Sequence, residues 1–461
     1  MREMKILSPT AILGYGFPEA SFAEGLKRNP DVIAVDAGST DPGPYYLGSG
    51  KSFTDRQAVK RDLALMIPAG LERKIPVIVG TSGGSGADSH LEWTVDIVRE
   101  IAKEQGLNFK LAIISAEISH EDVLRNLADG KVQPLPPAPP LTADEVDKTT
   151  AIVAQMGVEP FIKALEMGAE VILTGRAYDP AVFAALPIKE GFDPGLAIHM
   201  GKILECAAIA ATPGSGSDCM FGTLREDHFV LEPLSPERKC TTLSVAAHTL
   251  YEKSNPLILP GPGGVLDLNQ TTFTQIRDNA VEVRGSRFVP IEGKYTIKLE
   301  GAKRVGFRTV SFAATADPIM IEQIETITEA VKARVKSNFT HLDPDSFFLD
   351  FKIYGQKGVL AMFKDLPPEK LVPSELAIII EAVAETQDQA NTICGFARST
   401  MLHFGYSGRK STAGNLAFPF SPSDFKAGEV YEFSLYHLLE VDDPSGYFPI
   451  TLKNCLKGEL S

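Results

Sequence analysis

The sequence lacks the cysteine patterns of disulfide frameworks and of zinc sites. Its 461 residues contain five cysteines, an odd number at wide spacings, and neither a Cys-x-x-Cys nor a His-Glu-x-x-His motif. These absences argue against a disulfide framework, a thiol-redox site and a structural zinc ion. We therefore expect no bound metal.

The sequence also lacks the long apolar segments of membrane and secreted proteins. No apolar run approaches the roughly 18–20 residues of a membrane span. The first ten residues, MREMKILSPT, contain no apolar signal-peptide core. We expect a cytoplasmic protein with no membrane partner.

Positive charge is in deficit, since 45 Lys and Arg stand against 59 Asp and Glu, for a formal net charge of −14. General nucleic-acid binders and proteins that adhere to anionic membranes need a basic surface, so both classes are disfavoured. The chain is 44 % hydrophobic and 23 % charged, which is typical of a folded protein. Its length predicts two or three domains.

Short apolar runs alternate with helix-length segments in the first half. The runs suit strands that are buried on both faces of a parallel sheet. This alternation predicts an α/β domain with a doubly wound, mostly parallel sheet over residues 1–285, of the Rossmann-like kind. The predicted strands are Lys5–Ser8, Val32–Asp36, Pro76–Gly80, Leu111–Ser115 and Glu170–Thr174.

The second half has a different order of elements. Strands are predicted at Tyr295–Leu299, Val305–Ala313, Phe347–Tyr354, Leu376–Val383 and Val430–Leu439, and helices at Pro318–Val335 and Asp388–Leu402. From Val305 onwards this is β-α-β-β-α-β, which predicts a ferredoxin-like α+β domain over residues 286–461. We expect a homo-oligomer, because such a sheet otherwise exposes an edge.

Polar loops follow the predicted parallel strands, where α/β sheets bind their ligands. The loop Thr81–Ser89 carries Ser82, Gly83, Gly84 and Ser85, whose backbone N–H groups suit a substrate carboxylate or phosphate. The alternative is a tight turn whose last residues cap the next helix. The loop is neither a P-loop nor a dinucleotide-binding fingerprint.

Three charged residues follow other strands at the same edge of the sheet. Asp36 ends an apolar strand, so burial would shift its pKa as an acid or base requires; the alternative is a helix cap. Arg176 is suited to binding a carboxylate through two hydrogen bonds, with Asp179 orienting it. The alternative for Arg176 and Asp179 is a local ion pair that holds the loop.

A second group of polar residues lies in the apolar segment Gly195–Ala211. If the segment is helical, His199, Lys202 and Cys206 share one face at i, i+3 and i+7. His titrates near neutrality and a buried Lys serves as acid or base, so His199 and Lys202 are candidate catalytic residues. The alternatives are a hydrogen-bonded core histidine and a lysine that reaches solvent.

A third candidate is the loop Phe404–Asp424 before the last predicted strand. Arg409 and Lys410 lie there among Gly, Ser and Thr and suit a phosphate or carboxylate. A solvated linker is the alternative.

Three segments resemble the acyclic terpene utilisation (AtuA-like) family. They are VGTSGGSGADSH at Val79–His90, ILTGRAYDP at Ile172–Pro180 and AIHMGKILEC at Ala197–Cys206; the segments Tyr251–Asn255 and Tyr295–Arg308 are similar in kind. The resemblance covers most of residues 1–320 and implies catabolism of branched acyclic acids, often as coenzyme A thioesters, and in some members a small companion protein. It also implies that the site lies near these residues: Gly83, Gly84, Arg176, Asp179, His199 and Lys202. The Gly-Arg-Lys loop does not map onto the terpene-pathway members.

The function predicted from these residues is that of a lyase or hydratase acting on a small branched hydroxy carboxylic acid or its coenzyme A thioester. The base would be Asp36 or His199, and Lys202 would stabilise an enolate or protonate the leaving hydroxyl. We expect no resident cofactor, with coenzyme A entering only as part of the substrate. The alternative is a non-catalytic small-molecule-binding scaffold that works with a small companion subunit.

Overall fold

The computed structural model describes residues 2–251, 255–291, 293, 295–343, 345–356, 358, 373–410 and 412–461. The chain divides into two compact units, one of Met1–Lys303 with Phe433–Ser461 and one of Arg304–Glu432. The predicted domains, residues 1–285 and 286–461, have a different outline because the chain after Phe433 returns to the first unit. Within the described part of the chain, no helix has the length and apolar character needed to cross a membrane.

The first unit contains an eleven-stranded mixed sheet. From edge to edge its strands are β12 (Thr272–Arg277), β13 (Ala280–Arg284), β9 (His228–Pro233), β8 (Met220–Arg225), β1 (Glu3–Ser8), β2 (Val32–Asp36), β3 (Val77–Gly80), β7 (Val171–Thr174), β4 (Asn108–Ile114), β19 (Ile450–Leu456) and β20 (Glu459–Leu460). The five strands from β1 to β4 in this order run parallel. The strands on either side of them pair antiparallel.

Both faces of the parallel strands are covered, because successive side chains point to opposite faces. Ile6, Ala34 and Ile78 belong to one apolar core, together with residues of α7 (Glu159–Glu166), α8 (Ala181–Lys189) and α9 (Pro194–Leu204). Leu7 and Val35 belong to another, with residues of α1 (Glu19–Lys27), α3 (Arg56–Arg73) and α4 (Asp88–Gln105). A mixed α/β fold with a parallel central sheet is therefore confirmed, while its assignment as doubly wound stays a prediction.

Shorter elements complete the first unit. A three-stranded antiparallel sheet contains β10 (Ile258–Gly261), β11 (Gly264–Asp267) and β14 (Arg287–Pro290). The helices α2 (Pro44–Ser49), α5 (His120–Ala128), α6 (Ala143–Lys148) and α10 (Thr242–Leu250) lie between strands, and a 3-10 turn spans Ala207–Ala210. The strands β5 (Val132–Pro134) and β6 (Ala151–Gln155) pair with the long strands β18 (Asp424–Val441) and β15 (Tyr295–Thr315), respectively.

The second unit has the strand order β16-β17-β15-β18. Its other elements are α11 (Pro318–Glu322), α12 (Ile324–Asn338), β16 (Phe347–Tyr354), β17 (Leu376–Ala384) and α13 (Gln387–Leu402). The predicted order of strands and helices is present, except that the helix predicted over Pro318–Val335 is divided at Gln323 into α11 and α12. The assignment of the second unit to the ferredoxin-like fold stays a prediction.

Close packing of α9 on the start of α8 gives a test of the first unit. A Cβ added to Gly201 would lie 2.5 Å from the carbonyl oxygen of Pro180. We expect Gly201→Ala to lower the free energy of unfolding by about 1–3 kcal/mol, measured by urea denaturation. The control is Gly395→Ala on α13, where the nearest atom would be 3.6 Å away and alanine favours the helix by about 0.8–1 kcal/mol. Equal effects of the two substitutions would contradict this packing.

Candidate active site at the carboxyl ends of the parallel strands

Asp36 is the last residue of β2 and lies at the carboxyl edge of the parallel strands. Its side chain is buried, and a Cβ on Gly80 of the neighbouring strand would lie 3.1 Å from its Oδ1. Among the described residues, Oδ1 has no hydrogen-bond partner. A buried carboxylate oxygen without a donor is costly unless a proton or a ligand satisfies it.

The surroundings of Asp36 favour its protonated form. Burial and the negative charge of Asp179 raise the pKa of the Asp36 carboxyl well above its ordinary value, against the opposing effect of Arg176. The expected shift is therefore present, and its cause is loss of hydration together with a like charge. A carboxyl in this state is a candidate proton donor or acceptor.

Arg176 follows β7 and is the centre of a buried charge cluster. Its Nε donates to Glu300 Oε2 at 2.7 Å, and its Nη1 donates to Asp179 Oδ1 at 2.7 Å and to the Ala177 carbonyl at 2.6 Å. The side chains of Arg176 and Glu300 are 3 % and 1 % exposed, whereas that of Asp179 is 27 % exposed. Asp179 therefore lies at the more exposed rim of the cluster. Its ion pair with Arg176 agrees with the local-ion-pair alternative, and carboxylate binding by Arg176 stays a prediction.

Glu300 has two further partners. Lys298 Nζ lies 2.6 Å from its Oε1, and the Thr40 hydroxyl donates to the same oxygen at 3.0 Å. Although burial opposes it, the charges of Arg176 and Lys298 lower the pKa of Glu300 to about 2. The buried charge cluster of Arg176, Lys298, Glu300 and Asp179 is thus balanced, and ionisation of Asp36 would add an unbalanced negative charge.

The loop Thr81–Ser89 packs closely against the loop that carries Arg176. Thr81 has a φ of 47°, a strained value for a β-branched residue, and its Oγ1 accepts from the Ala177 N–H at 3.2 Å. The Gly86 carbonyl accepts from the Arg176 N–H at 3.1 Å, and a Cβ on Gly86 would lie 2.2 Å from that nitrogen. The loop therefore places Arg176, and Gly86 is required for the close approach.

The predicted anion-binding residues of this loop are buried. Gly83 and Gly84 have φ values of 67° and 103°, and Ser85 and Ser82 are at most 1 % exposed. Ser82 Oγ has no hydrogen-bond partner among the described residues. The positive φ values of these glycines agree with the alternative that the loop is a tight turn. Anion binding by the loop stays a prediction.

The first turn of α4 already faces a carboxylate. The Asp88 N–H donates to Glu117 Oε2 at 2.9 Å, and the Ser115 hydroxyl donates to Asp88 Oδ1 at 2.5 Å. A substrate anion at this helix end would compete with Glu117.

His199 on α9 is a hydrogen-bonded core histidine. Its Nδ1 lies 2.6 Å from Ser286 Oγ and its Nε2 lies 3.0 Å from Thr249 Oγ1. Burial, and then the charge of Lys202, lower the pKa of His199 to about 3. Both ring nitrogens are occupied, so the geometry agrees with the structural alternative for His199, and its catalytic role stays a prediction.

Lys202 lies on the same helix, and its Nζ is 5.2 Å from the centre of the Tyr251 ring. Burial and the charge of Lys202 lower the pKa of His248, which packs on that ring, to about 4. Cys206 lies beyond the end of α9 at Leu204, and its Sγ is 3.7 Å from the Tyr251 hydroxyl, so it lies beside the same aromatic residue as Lys202. Residues 252–254 of the segment Tyr251–Asn255 lie outside the described residues.

Tyr178 lies between the two groups of candidate residues. Burial and the charges of Glu205 and Asp179 raise the pKa of its phenol, so both carboxylates are near it. The contact of Gly201 with Pro180 places α9 beside the same segment. The chain thus brings Asp36, Arg176 and Asp179 together and places the α9 group along the adjoining loop.

Arg409 and Lys410 belong to the second unit. Arg409 Nη1 donates to the carbonyls of His403 and Phe404 at 3.3 Å. The charge of Lys410 contributes to a lowered pKa of Asp317, whose first cause is the hydrogen bond from Tyr406. Arg409 therefore holds its own loop, and phosphate or carboxylate binding by either residue stays a prediction.

Two residues of the buried charge cluster, Lys298 and Glu300, were not among the predicted site residues. Their spacing of i, i+2 places both on one face of a strand, within a run that is otherwise apolar or small. An opposite-charge pair in such a strand is a signal that buried ionic partners lie elsewhere in the chain.

Removal of the Glu300 charge tests the charge cluster. Glu300→Gln leaves the buried Arg176 and the partly buried Lys298 without their shared counter-ion, so we expect a loss of about 3–5 kcal/mol in the free energy of unfolding. The contribution of Glu300 is present above its ordinary pKa of 4.5 and is lost as the pH falls towards about 2. Urea denaturation at several pH values should therefore show the two proteins converging in acid.

The control for this substitution is Glu3→Gln, because Glu3 pairs with Lys5 at the surface and exposed pairs contribute about 0–1 kcal/mol. A Glu300→Gln protein as stable as the control would contradict the cluster's structural role.

We expect the buried Asp36 side chain to lower the free energy of unfolding at neutral pH. Its folded pKa is raised, so its contribution to stability is present below the ordinary pKa of 3.8 and is lost as the pH rises through the folded value. We expect Asp36→Asn to raise the melting temperature at neutral pH, by about 1–2 °C per kcal/mol recovered in a chain of this size, and to raise it less in acid. Asp41→Asn, on an exposed residue of the same loop, is the control. A lower melting temperature for Asp36→Asn at neutral pH would show that the ionised carboxylate stabilises the fold.

Comparison with known proteins places the chain in a family. A family model described as acyclic terpene utilisation family protein AtuA matches residues 51–218 and 229–420, which include Arg176, Asp179, Lys202 and Glu300; Asp36 precedes the match. No curated protein and no solved structure matches the chain. The family description associates these proteins with acyclic terpene utilisation, which indicates a catabolic role. The chain belongs to the AtuA family of acyclic terpene utilisation proteins.

Proposed function

We propose that the protein is a catabolic lyase or hydratase that acts on a small branched hydroxy carboxylic acid or its coenzyme A thioester. The observation that carries the proposal is the buried Asp36 carboxyl, whose Oδ1 has no partner among the described residues, beside the buried charge cluster. Perturbed carboxyl groups at the carboxyl ends of parallel strands are typical of catalytic sites. The family match supports a catabolic substrate.

Asp36 is the proposed proton-transfer residue. In its ionised form it removes a proton from the carbon next to the carboxyl or thioester carbonyl, which forms an enolate. Loss of the neighbouring hydroxyl as water, with a proton from Lys202, completes the elimination. A raised pKa brings a carboxyl closer to the neutral range in which acid–base catalysts work. His199 is the weaker candidate, because Ser286 and Thr249 occupy both of its ring nitrogens.

The substrate anion is proposed to bind at Arg176. Its Nε and Nη1 are used by Glu300 and Asp179, whereas Nη2 makes no hydrogen bond within the described part of the chain. A guanidinium that two carboxylates hold rigidly through two of its nitrogens is suited to orient a substrate carboxylate at the third. Lys202 is proposed to protonate the leaving hydroxyl or to stabilise the enolate. This reaction requires no resident cofactor.

Ligand binding is tested by thermal shift of the purified chain. We expect branched hydroxy di- and tricarboxylic acids, or their coenzyme A thioesters, to raise the melting temperature, since a ligand at about 100 times its dissociation constant adds roughly 2.7 kcal/mol. The ligands that bind are then incubated with the protein in D2O, and deuterium at the carbon next to the carbonyl is measured by NMR.

Asp36→Asn should slow deuterium incorporation by about 10²–10⁴-fold, while Asp41→Asn leaves it unchanged. Ligand binding without deuterium incorporation or turnover by the chain alone would contradict the lyase proposal. It would favour the scaffold that works with a small companion subunit.

A further inference from the structure

The strand β16 is an edge strand of the second unit. It pairs with β17 on one side, and among the described residues no strand pairs with its other side. Eight residues long and without proline, it presents a row of backbone N–H and C=O groups of the kind that pairs with another strand. Two of its apolar side chains, Phe348 and Tyr354, are 55 % and 40 % exposed.

The two faces of β16 differ in character. Phe347, Leu349, Phe351 and Ile353 contact the apolar core of the second unit. The alternate residues Phe348, Asp350, Lys352 and Tyr354 therefore lie on the opposite face. A partner strand must keep this alternation, because a shift by one residue exchanges the faces.

One antiparallel register makes this strand complementary to itself. When Phe351 faces Phe351 of a second copy, Asp350 faces the second copy's Lys352 and Phe348 faces the second copy's Tyr354. Opposite charges and aromatic pairs at directly opposed positions stabilise a sheet. A shift by two residues in either direction would oppose Asp350 to Asp350 or Lys352 to Lys352, which is destabilising.

The neighbouring helix has the same two-fold complementarity. Along α12, Glu325, Glu329, Lys332 and Lys336 follow a spacing of i, i+4, i+7 and i+11, which places them on one stripe, and all four line the grooves between α12 and β16. The stripe is acidic in its first half and basic in its second half. Since a two-fold axis through β16 reverses the helix direction, it brings the acidic half of one α12 towards the basic half of the other.

We propose that β16 is the interface through which two copies of this chain form a two-fold symmetric dimer, with their sheets joined antiparallel at Phe351. The occupant of the edge is a second copy, because strand and helix are each complementary to themselves about one axis. An isologous interface of this kind closes and leaves no further edge at β16. The proposal is independent of the proposed reaction.

Disulfide trapping tests the register. In the full chain, Phe348→Cys combined with Tyr354→Cys places two thiols opposite each other between copies, and oxidation should give a covalent dimer on a non-reducing gel. Within one copy the two positions are about 20 Å apart along the strand, too far for a disulfide. Each single substitution is the matched control and should not be trapped in this register.

Sedimentation velocity over a dilution series tests the dimer without a trap. Asp350→Arg places like charges opposite each other twice in the dimer, so we expect its dissociation constant to rise about tenfold or more. Asp388→Arg, at an exposed position on α13, should leave the dissociation constant unchanged. A monomer at all concentrations, equal trapping of the single and double cysteine variants, or an unaffected Asp350→Arg dimer would each overturn the proposal.

Discussion

The ion pair between Arg176 and Glu300 is the interaction on which the candidate site depends. Both side chains are almost completely buried, at 3 % and 1 % exposure, and each is costly to bury alone. Glu300 satisfies Arg176 from a strand that is distant in sequence, and Lys298 and Asp179 complete the charge balance. With the charges of the cluster balanced, ionisation of Asp36 would add an unbalanced negative charge.

The local backbone is organised around this pair. Thr81 holds a positive φ so that its hydroxyl accepts from the Ala177 N–H, and Gly86 permits contact with the Arg176 backbone. Strain of this kind persists only where surrounding contacts determine the conformation. The glycine-rich loop therefore acts first as a support for Arg176, and any contact with substrate is made from that position.

Sequence patterns predicted the local elements well and the long-range contacts poorly. The bounds of Val32–Asp36 and Phe347–Tyr354 agree with the structure, because continuous apolar or alternating runs end at turn residues. The strand β15 was predicted as two pieces, since glycines and charges interrupt its pattern. Neither the Glu300 partner of Arg176 nor the hydroxyl groups around His199 were accessible to prediction, because tertiary folding alone joins segments so far apart in the chain.

Burial, and after it the negative charge of Asp179, keeps Asp36 protonated well above its ordinary pKa of 3.8. A carbon-13 NMR titration of aspartate carboxyl groups measures this directly, with Asp36→Asn identifying the Asp36 signal by its loss. We expect this signal to titrate well above 3.8. We expect Glu300→Gln to lower its midpoint, because the cluster then loses a negative charge. A midpoint at or below 3.8 would show instead that Asp36 is ionised at neutral pH like an ordinary aspartate.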